Sequence, residues 1–168
     1  MDMRLFDEKF RDNKSKYIIQ SLLGGIAVGL ALVLFDVVHQ PMIIASFGAS
    51  GFVAFTMPHR PIASPRHLIG GYIIAIIVGC ATHYLTVLPI EHELTQTMFH
   101  IVASVIVVAL AMFLMSVTNT EHAPATSIAL GLVINDWTYV TVFRILAGIL
   151  IIVGVQRLTR DWMIDLLG

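Results

Sequence analysis

The stretch YIIQSLLGGIAVGLALVLFDVV, residues 17–38, is apolar apart from a few small polar groups and Asp36. About 20 helical residues cross a bilayer core, so this run is long enough to span it. It follows the largely polar residues 1–16 and is longer than the apolar region of an ordinary signal peptide. We therefore interpret it as a first membrane-spanning helix that is retained in the protein.

The composition of the whole chain has the same character. Hydrophobic residues make up 57% of the 168 residues and charged residues 12%, against roughly 25% charged in an ordinary soluble domain. The mean hydropathy of +0.86 indicates that a lipid bilayer, rather than a soluble core, surrounds the apolar side chains. The net charge of -1 argues against a nucleic-acid partner.

Five more apolar segments follow the first. Three are long enough to cross a bilayer, and they are Leu68–Leu88, Met98–Val117 and Tyr139–Val155. The other two, Met42–Met57 and Ala123–Ile134, are shorter or interrupted by polar residues and glycine. The sequence therefore predicts four full spans and two short middle segments.

Each short segment is interpreted as an extended leg joined to a half-helix. A helix over Gly48–Met57 or Pro124–Ile134 would be about 15 Å long, half of a core of roughly 30 Å. The preceding residues, Pro41–Phe47 and Ser116–Ala123, do not favour a helix. Broken helices are tolerated at membrane depth where protein or water surrounds them, and in transporters they mark substrate sites.

The distribution of basic residues favours six crossings. If all six segments cross, nine of the ten lysines and arginines lie on one side, and Arg144 is the tenth. The positive-inside rule then places residues 1–16 and a tail over 158–168 in the cytoplasm, around a membrane domain over 17–157. We expect a multi-pass protein of the cell inner membrane. Re-entrant short segments stay an open alternative, although they would place Arg60 and Arg66 outside.

Two short sequence matches relate the halves of the chain. Ala49-Ser50-Gly51 resembles Ala125-Thr126-Ser127, and Arg66-x-x-x-Gly70 resembles Arg144-x-x-x-Gly148. Three crossings per half would make the second half inverted relative to the first, as in many secondary transporters. We predict an all-α membrane protein with six segments in two inverted three-segment repeats, each with a broken middle segment.

Inverted half-helices would begin near the midplane with their N-termini facing each other. Such termini carry unpaired N–H groups and partial positive charge, which suits an anion. Ser46, Ser50 and Thr126 add hydroxyl donors, while Gly48 and Ala125 are small enough to let an ion reach the backbone. We predict an anion site here.

Four further residues complete the candidate site: Phe47, Glu121, His122 and Arg144. Arg144 is the one basic residue inside a predicted span, and it either supplies fixed positive charge or snorkels to the interface and pairs with Asp136. The Glu121-His122 pair either accompanies helix capping by the preceding residues or forms a proton-coupled gate, in which the carboxylate raises the histidine pKa.

Two motifs in the chain resemble those of the HPP family of small membrane proteins. The first is Phe47-Gly48-Ala49-Ser50 followed by residues 58–71 (PHRPIASPRHLIGG), and the second is Glu121-His122-Ala123-Pro124, with alanine in place of the first of two family prolines. The resemblance covers roughly residues 16–157. It implies a domain usually described with about four predicted helices and a role in moving nitrite or nitrate, as associated with plant members.

The leading functional hypothesis is a transporter or channel for a small inorganic anion, with nitrite or nitrate first, bound near the midplane. A redox or haem-binding subunit using the seven histidines, or a structural subunit of a larger complex, is the alternative. The sequence shows no catalytic nucleophile or paired carboxylates, so we expect no enzyme activity, metal or cofactor. Many glycines in the spans favour a homo-oligomer.

Overall fold

The computed structural model describes residues 8–34, 40–86 and 93–167. Its helices are α1 (Glu8–Asp12), α2 (Lys14–Leu34), α3 (Pro41–Thr56), α4 (Pro65–Thr86), α5 (Glu93–Thr118), α6 (Ala123–Ile134) and α7 (Tyr139–Thr159), with a 3-10 turn at Pro61–Ala63. Within these residues no strand is present, so the prediction of an all-α fold is confirmed.

Among the described residues, four helices are long and apolar enough to cross a membrane: α2, α4, α5 and α7. They are the four predicted full spans. The predicted ends of the first two, at Val38 and Leu88, lie outside the described residues. The two short segments are also helices, and their lengths of 16 and 12 residues correspond to about 24 Å and 18 Å.

The predicted extended leg over Pro41–Phe47 is wrong, because α3 is helical from Pro41 onward. Proline occupies the first turn, where its missing N–H costs nothing, and the N–H groups of Ile43 and Ile44 both bond to the Gln40 carbonyl. A continuous helix satisfies its own backbone groups, whereas an extended segment would need partners from elsewhere in the protein. Gly48 inside the segment does not interrupt it.

The second predicted break is shorter than expected. Helix α5 continues to Thr118, so only residues 119–122 are non-helical before α6 begins. The α5 end has the bonds of a Schellman motif, from Asn119 N–H to Ser116 and from Thr120 N–H to Met115. Asn119 has a φ of 53°, a left-handed conformation that asparagine tolerates.

Helices α3, α4, α6 and α7 form the centre of the bundle. Helix α2 packs against α3 and α7, and α5 packs against α4 and α6. The α4–α6 pair is especially close, since a Cβ at Gly71 would lie 2.6 Å from the Cβ of His122 and one at Gly79 would lie 2.9 Å from the Ala129 carbonyl oxygen. These two glycines let α6 lie alongside α4 in parallel, as close helix packing in membranes requires.

Helices α3 and α6 pack antiparallel. Met42, in the first turn of α3, lies against Gly131 near the end of α6, while the Ser46 hydroxyl reaches the carbonyl of Pro124 at the start of α6. Deeper in α3, Ser50 reaches His122. The start of α6 therefore lies beside the middle of α3.

The C-terminal residues return to the bundle end that carries the start of α2. The buried amide of Gln20 donates to the carbonyls of Phe55 and Ile164, both at 2.9 Å, and accepts from the Ile164 N–H at 3.0 Å. The Leu166 N–H donates to Thr56 at 2.8 Å. Residues 160–167, predicted as part of a cytoplasmic tail, thus pack against α2 and α3; we call them the C-terminal clasp.

Candidate functional site

A chain of buried hydrogen bonds links α3, α4 and the start of α6. The Ser46 hydroxyl donates to the Pro124 carbonyl at 2.8 Å and lies 2.6 Å from the Tyr72 hydroxyl. Tyr72 lies 2.9 Å from the Ser50 hydroxyl, which in turn lies 2.8 Å from Nε2 of His122. We call these four side chains the polar cluster.

The direction of each bond in the polar cluster follows from counting protons. Ser46 gives its one proton to the Pro124 carbonyl, which can only accept, so Tyr72 must donate to Ser46. Ser50 must then donate to Tyr72, and Nε2–H of His122 must donate to Ser50. Neutral His122 therefore carries its proton on Nε2, and its Nδ1 is a buried acceptor without a partner.

All four side chains of the polar cluster are at most 1% exposed. Burying polar groups is unfavourable unless they are hydrogen bonded, and polar side chains among membrane helices generally mark functional positions. The aromatic ring of Tyr72 stacks on Phe47, with ring centroids 6.0 Å apart, which fixes the hydroxyl between the two serines. The cluster is closed and fully packed in this structure.

His122 lies in the connection between α5 and α6, outside both helices, at the N-cap position of α6. It makes no side-chain capping bond there. Helix capping by the residues that precede Glu121, one of the two alternatives for this pair, is not observed: Asn119 ends α5, and the first-turn bond runs from Ala125 N–H to the His122 carbonyl. Burial, with a smaller contribution from His67, lowers the pKa of His122 to about 4. The predicted upward shift is therefore wrong.

Glu121 points away from His122. Its carboxylate lies 3.4 Å from Nε2 of His67, while Nδ1 of His67 lies 2.9 Å from the Ser64 hydroxyl. His67 and Glu121 border an open cleft of about 460 Å³, which Arg60 also lines. The cleft lies at the bundle end that carries the C-terminal clasp, since Arg60 and Asp165 form an ion pair at 3.8 Å.

A second cavity, of about 220 Å³, lies at the opposite end of the bundle. The start of α3 and the end of α6 form its walls, through residues such as Met42 and Leu132, and Ile145 contributes from α7. Trp137, in the α6–α7 connection, also lines it, and we call it the Trp137 cavity. The polar cluster therefore lies between the cleft at one end and this cavity at the other.

The structure brings some of the predicted site residues together and separates others. Ser46, Ser50 and His122 are members of the polar cluster, and Phe47 packs against it. Ala125 is buried in α6, one turn from His122.

The other predicted residues lie elsewhere. Gly48 is on an exposed face of α3, and the Thr126 hydroxyl donates to the Ala123 carbonyl of its own helix. Glu121 bonds to His67, and Arg144 is half-buried on α7, a helix that contributes no residue to the polar cluster.

The prediction that two helix N-termini face each other is wrong. Because α3 begins at Pro41 and runs antiparallel to α6, its N-terminus lies at the Trp137 cavity, near the C-terminal end of α6. The one N-terminus at the polar cluster is that of α6. The anion hypothesis therefore depends on one helix dipole and on side-chain donors.

Sequence reasoning missed Tyr72, the residue at the centre of the polar cluster. The available signal was a tyrosine within an apolar run, directly after Gly70-Gly71, where an interfacial position does not account for its hydroxyl. It also missed His67, which lies close enough to His122 to lower its pKa. Neither contact follows from spacing along one helix, because each joins separate elements.

Over residues 8–34, 40–86 and 93–167, no group of three or more histidine, cysteine or acidic side chains is placed to hold a metal ion. Cys80 is a free thiol on α4.

Four long apolar helices, with a buried polar cluster in the middle of the bundle, define an integral membrane protein. The chain belongs to the HPP transmembrane family, whose description is "HPP, transmembrane region" and which matches residues 10–163. The resemblance seen in the sequence motifs is thereby confirmed at the level of the family.

A curated relative is a protein of Dictyostelium discoideum described as a transmembrane protein. The two are 34% identical over 92 residues, which cover 55% of this chain and 30% of that protein. The chain thus spans less than a third of the length of this relative. No solved structure matches the chain.

Proposed function

We propose that this protein is a transporter or channel for a small inorganic anion, and that the polar cluster is its binding site. The observation that carries the proposal is the complete burial of three hydroxyl groups and one imidazole among membrane helices. A purely structural core would be served equally well by apolar side chains of the same shape.

The charge environment of the polar cluster favours an anion. The N-terminus of α6 adjoins Ser46 and His122, and a helix N-terminus carries about half a positive charge. Among the described residues, the bonds of the cluster involve no carboxylate, since Glu121 is turned toward His67. An anion here would meet donors and a favourable dipole.

The closed cluster also suggests how an anion would bind. All hydroxyl protons are committed, so a small movement of α6 away from α3 would break the Ser46–Pro124 and Ser50–His122 bonds. That movement frees the Ser46 O–H and the His122 Nε2–H, and both can donate to an anion. Substrate binding would then replace these two internal hydrogen bonds with two hydrogen bonds to the anion, so the number of bonds made by the two donors would stay the same.

The proposed membrane arrangement is six crossings in two inverted repeats. In this arrangement α2, α3 and α4 of the first repeat correspond to α5, α6 and α7 of the second. Helix pairs that are in contact correspond in the same way: α2–α3 to α5–α6, α2–α7 to α5–α4, and α3–α7 to α6–α4. The repeat glycines also correspond, because Gly70 packs against Thr120 and Gly148 against Phe47. Short middle helices of this kind often line transporter sites.

We propose the same orientation that the basic residues favour, with both termini cytoplasmic in the inner membrane. Large apolar side chains such as Leu22, Ile26 and Phe113 are exposed on α2 and α5, as expected for lipid contact or for contact with another copy. A homo-oligomer is part of the proposal, whereas catalytic activity is not.

Nitrite and nitrate are the first substrates to test, because the family resemblance implies them. Purified protein in liposomes should take up nitrite or nitrate faster than empty liposomes do. His122→Gln should reduce this uptake, while His100→Gln, on peripheral α5, should not. Uptake of every small anion at the rate of empty liposomes would contradict the proposal.

A further inference from the structure

The wall of the Trp137 cavity includes a residue with a buried donor that the protein leaves unpaired. The indole Nε1 of Trp137 is buried and has no hydrogen-bond partner, and Trp137 lines the cavity. The ring of His83 packs against it with centroids 5.5 Å apart, and Nδ1 of His83 also lacks a partner. Orphaned buried polar atoms are rare and call for a partner. Protein atoms cover the Trp137 N–H in this structure, and a small rotation of the ring would turn it toward an occupant of the cavity.

The inner end of the Trp137 cavity is apolar. Ile43 of α3, Ile128 of α6 and Ile145 of α7 all line the cavity, and their side chains are 4%, 1% and 1% exposed. One isoleucine from each of three helices thus closes this side of the cavity. We call the three residues the isoleucine floor.

The isoleucine floor lies about one helical turn from the polar cluster. On α3, Ser46 follows Ile43 by three residues, and on α6, Pro124 precedes Ile128 by four. One turn of an α-helix advances about 5.4 Å. On α7, Gly148 follows Ile145 by three residues and packs against Phe47, which stacks on Tyr72. The floor therefore separates the cavity from the polar cluster by a single apolar layer.

We propose that the Trp137 cavity is a vestibule for small anions and that the isoleucine floor is the closed gate between it and the polar cluster. This assignment rests on the proposed transport function for the path beyond the floor. The indole N–H can only donate, so the partner that it takes when the ring turns toward the cavity is an acceptor, and an inorganic anion is one. Asp136 lies at the exposed rim, where water screens its carboxylate, whereas the N–H is buried. Apolar constrictions of this kind gate permeation by excluding water.

The gate is tested by shortening its side chains. In liposomes, Ile128→Ala should raise the rate of nitrite uptake at least about threefold, because a smaller side chain lets water and ion through. Ile101→Ala is the matched control on the lipid-facing surface of α5, and it should leave the rate unchanged. If Ile128→Ala fails to fold, Ile145→Val makes a smaller change at the same layer. Folded floor variants with wild-type rates would overturn the gate.

The vestibule is tested separately, with tryptophan fluorescence. The chain has two tryptophans, so Trp162→Phe leaves Trp137 as the single reporter. Iodide, a small anion that quenches indole, should quench this emission along a saturating curve, and a linear curve would overturn the vestibule. The paired variant Trp137→Phe, which reports on Trp162, should give a linear curve. If wild-type protein moves no anion but Trp137 quenching saturates, the transport function fails while the vestibule assignment stands.

Discussion

Nε2 of His122 donates to the hydroxyl of Ser50 across 2.8 Å, joining the start of α6 to the middle of α3. The two residues are 72 positions apart in the chain. Because Ser50 donates its own proton to Tyr72, its oxygen can only accept from His122, and this fixes the tautomer of His122. A change at any member of the polar cluster should therefore affect the others.

Removing the Tyr72 hydroxyl should destabilise the protein while preserving its packing. Tyr72→Phe keeps the ring on Phe47 but removes the acceptor for Ser50 and the donor to Ser46. We expect a loss of about 1–3 kcal/mol of stability, the usual range when buried polar groups lose partners. The midpoint of thermal unfolding in detergent measures this. Tyr84→Phe, at an exposed position, should leave the midpoint unchanged, and an equal midpoint for both variants would contradict the bonding order.

Removing the Ser46 hydroxyl should reduce transport by the protein that remains folded. Ser46→Ala deletes a donor that we propose to bind the anion, so uptake of nitrite into liposomes should fall about tenfold, the equivalent of roughly 1.4 kcal/mol. Ser104→Ala is the control, because the Ser104 hydroxyl bonds to the His100 carbonyl within its own helix. Wild-type uptake by folded Ser46→Ala protein would remove Ser46 from the binding site.

His122 should make the protein sensitive to mild acid. Since its folded pKa, about 4, is lower than the ordinary value of 6.5, the unfolded chain binds a proton first as the pH falls. Stability from this group is complete above pH 6.5 and is lost between 6.5 and 4, by an amount on the order of 3 kcal/mol. The nearby titratable groups are His67, Glu121 and Tyr72.

The measurement for this prediction is the unfolding midpoint at several pH values between 7 and 4. His122→Asn should flatten the decline, and His59→Asn, a change at a histidine bonded to the Met163 carbonyl, should not. The same decline in wild-type protein and in His122→Asn would assign the acid sensitivity to other groups.

The contact between α4 and the α5–α6 connection should not tolerate a larger residue at position 71. In Gly71→Ala the added Cβ would lie 2.6 Å from the Cβ of His122 and 3.1 Å from the Thr120 carbonyl oxygen. Overpacking of this kind costs about 1–3 kcal/mol. Gly154→Ala on α7 meets nothing within 4 Å and should raise the unfolding midpoint slightly, because alanine favours a helix. A higher midpoint for Gly71→Ala would show that the connection moves easily.

The sequence predicts the membrane helices well because long apolar runs have few alternatives to spanning a bilayer. The four full spans, the short helix that ends at Ile134 and the predicted helix from Gly48, which ends at Thr56, are observed. The error at Pro41–Phe47 came from treating proline and glycine as breakers, although proline fits a first turn and a membrane favours continuous helices.

The candidate site was predicted in part. Ser46, Ser50 and His122 were recognisable because polar residues are unusual in short apolar segments. Tyr72 belongs to a third element, and its position depends on how closely α4 and α6 pack, which the pattern of one segment does not reveal. The partner of Glu121 was predicted wrongly for the same reason. Its neighbour in the sequence is His122, whereas the side chain that its carboxylate contacts in the folded protein is His67.

The C-terminal clasp limits which parts of the bundle can move. Gln20, near the beginning of α2, bonds to Ile164 and to the carbonyl of Phe55 at the end of α3, so the clasp joins the ends of these two helices. These buried bonds resist separation of α2 from α3 at this end of the bundle. The movement of α6 away from α3 in the proposed function would then take place while the C-terminal clasp holds α2 and α3 together at this end of the bundle.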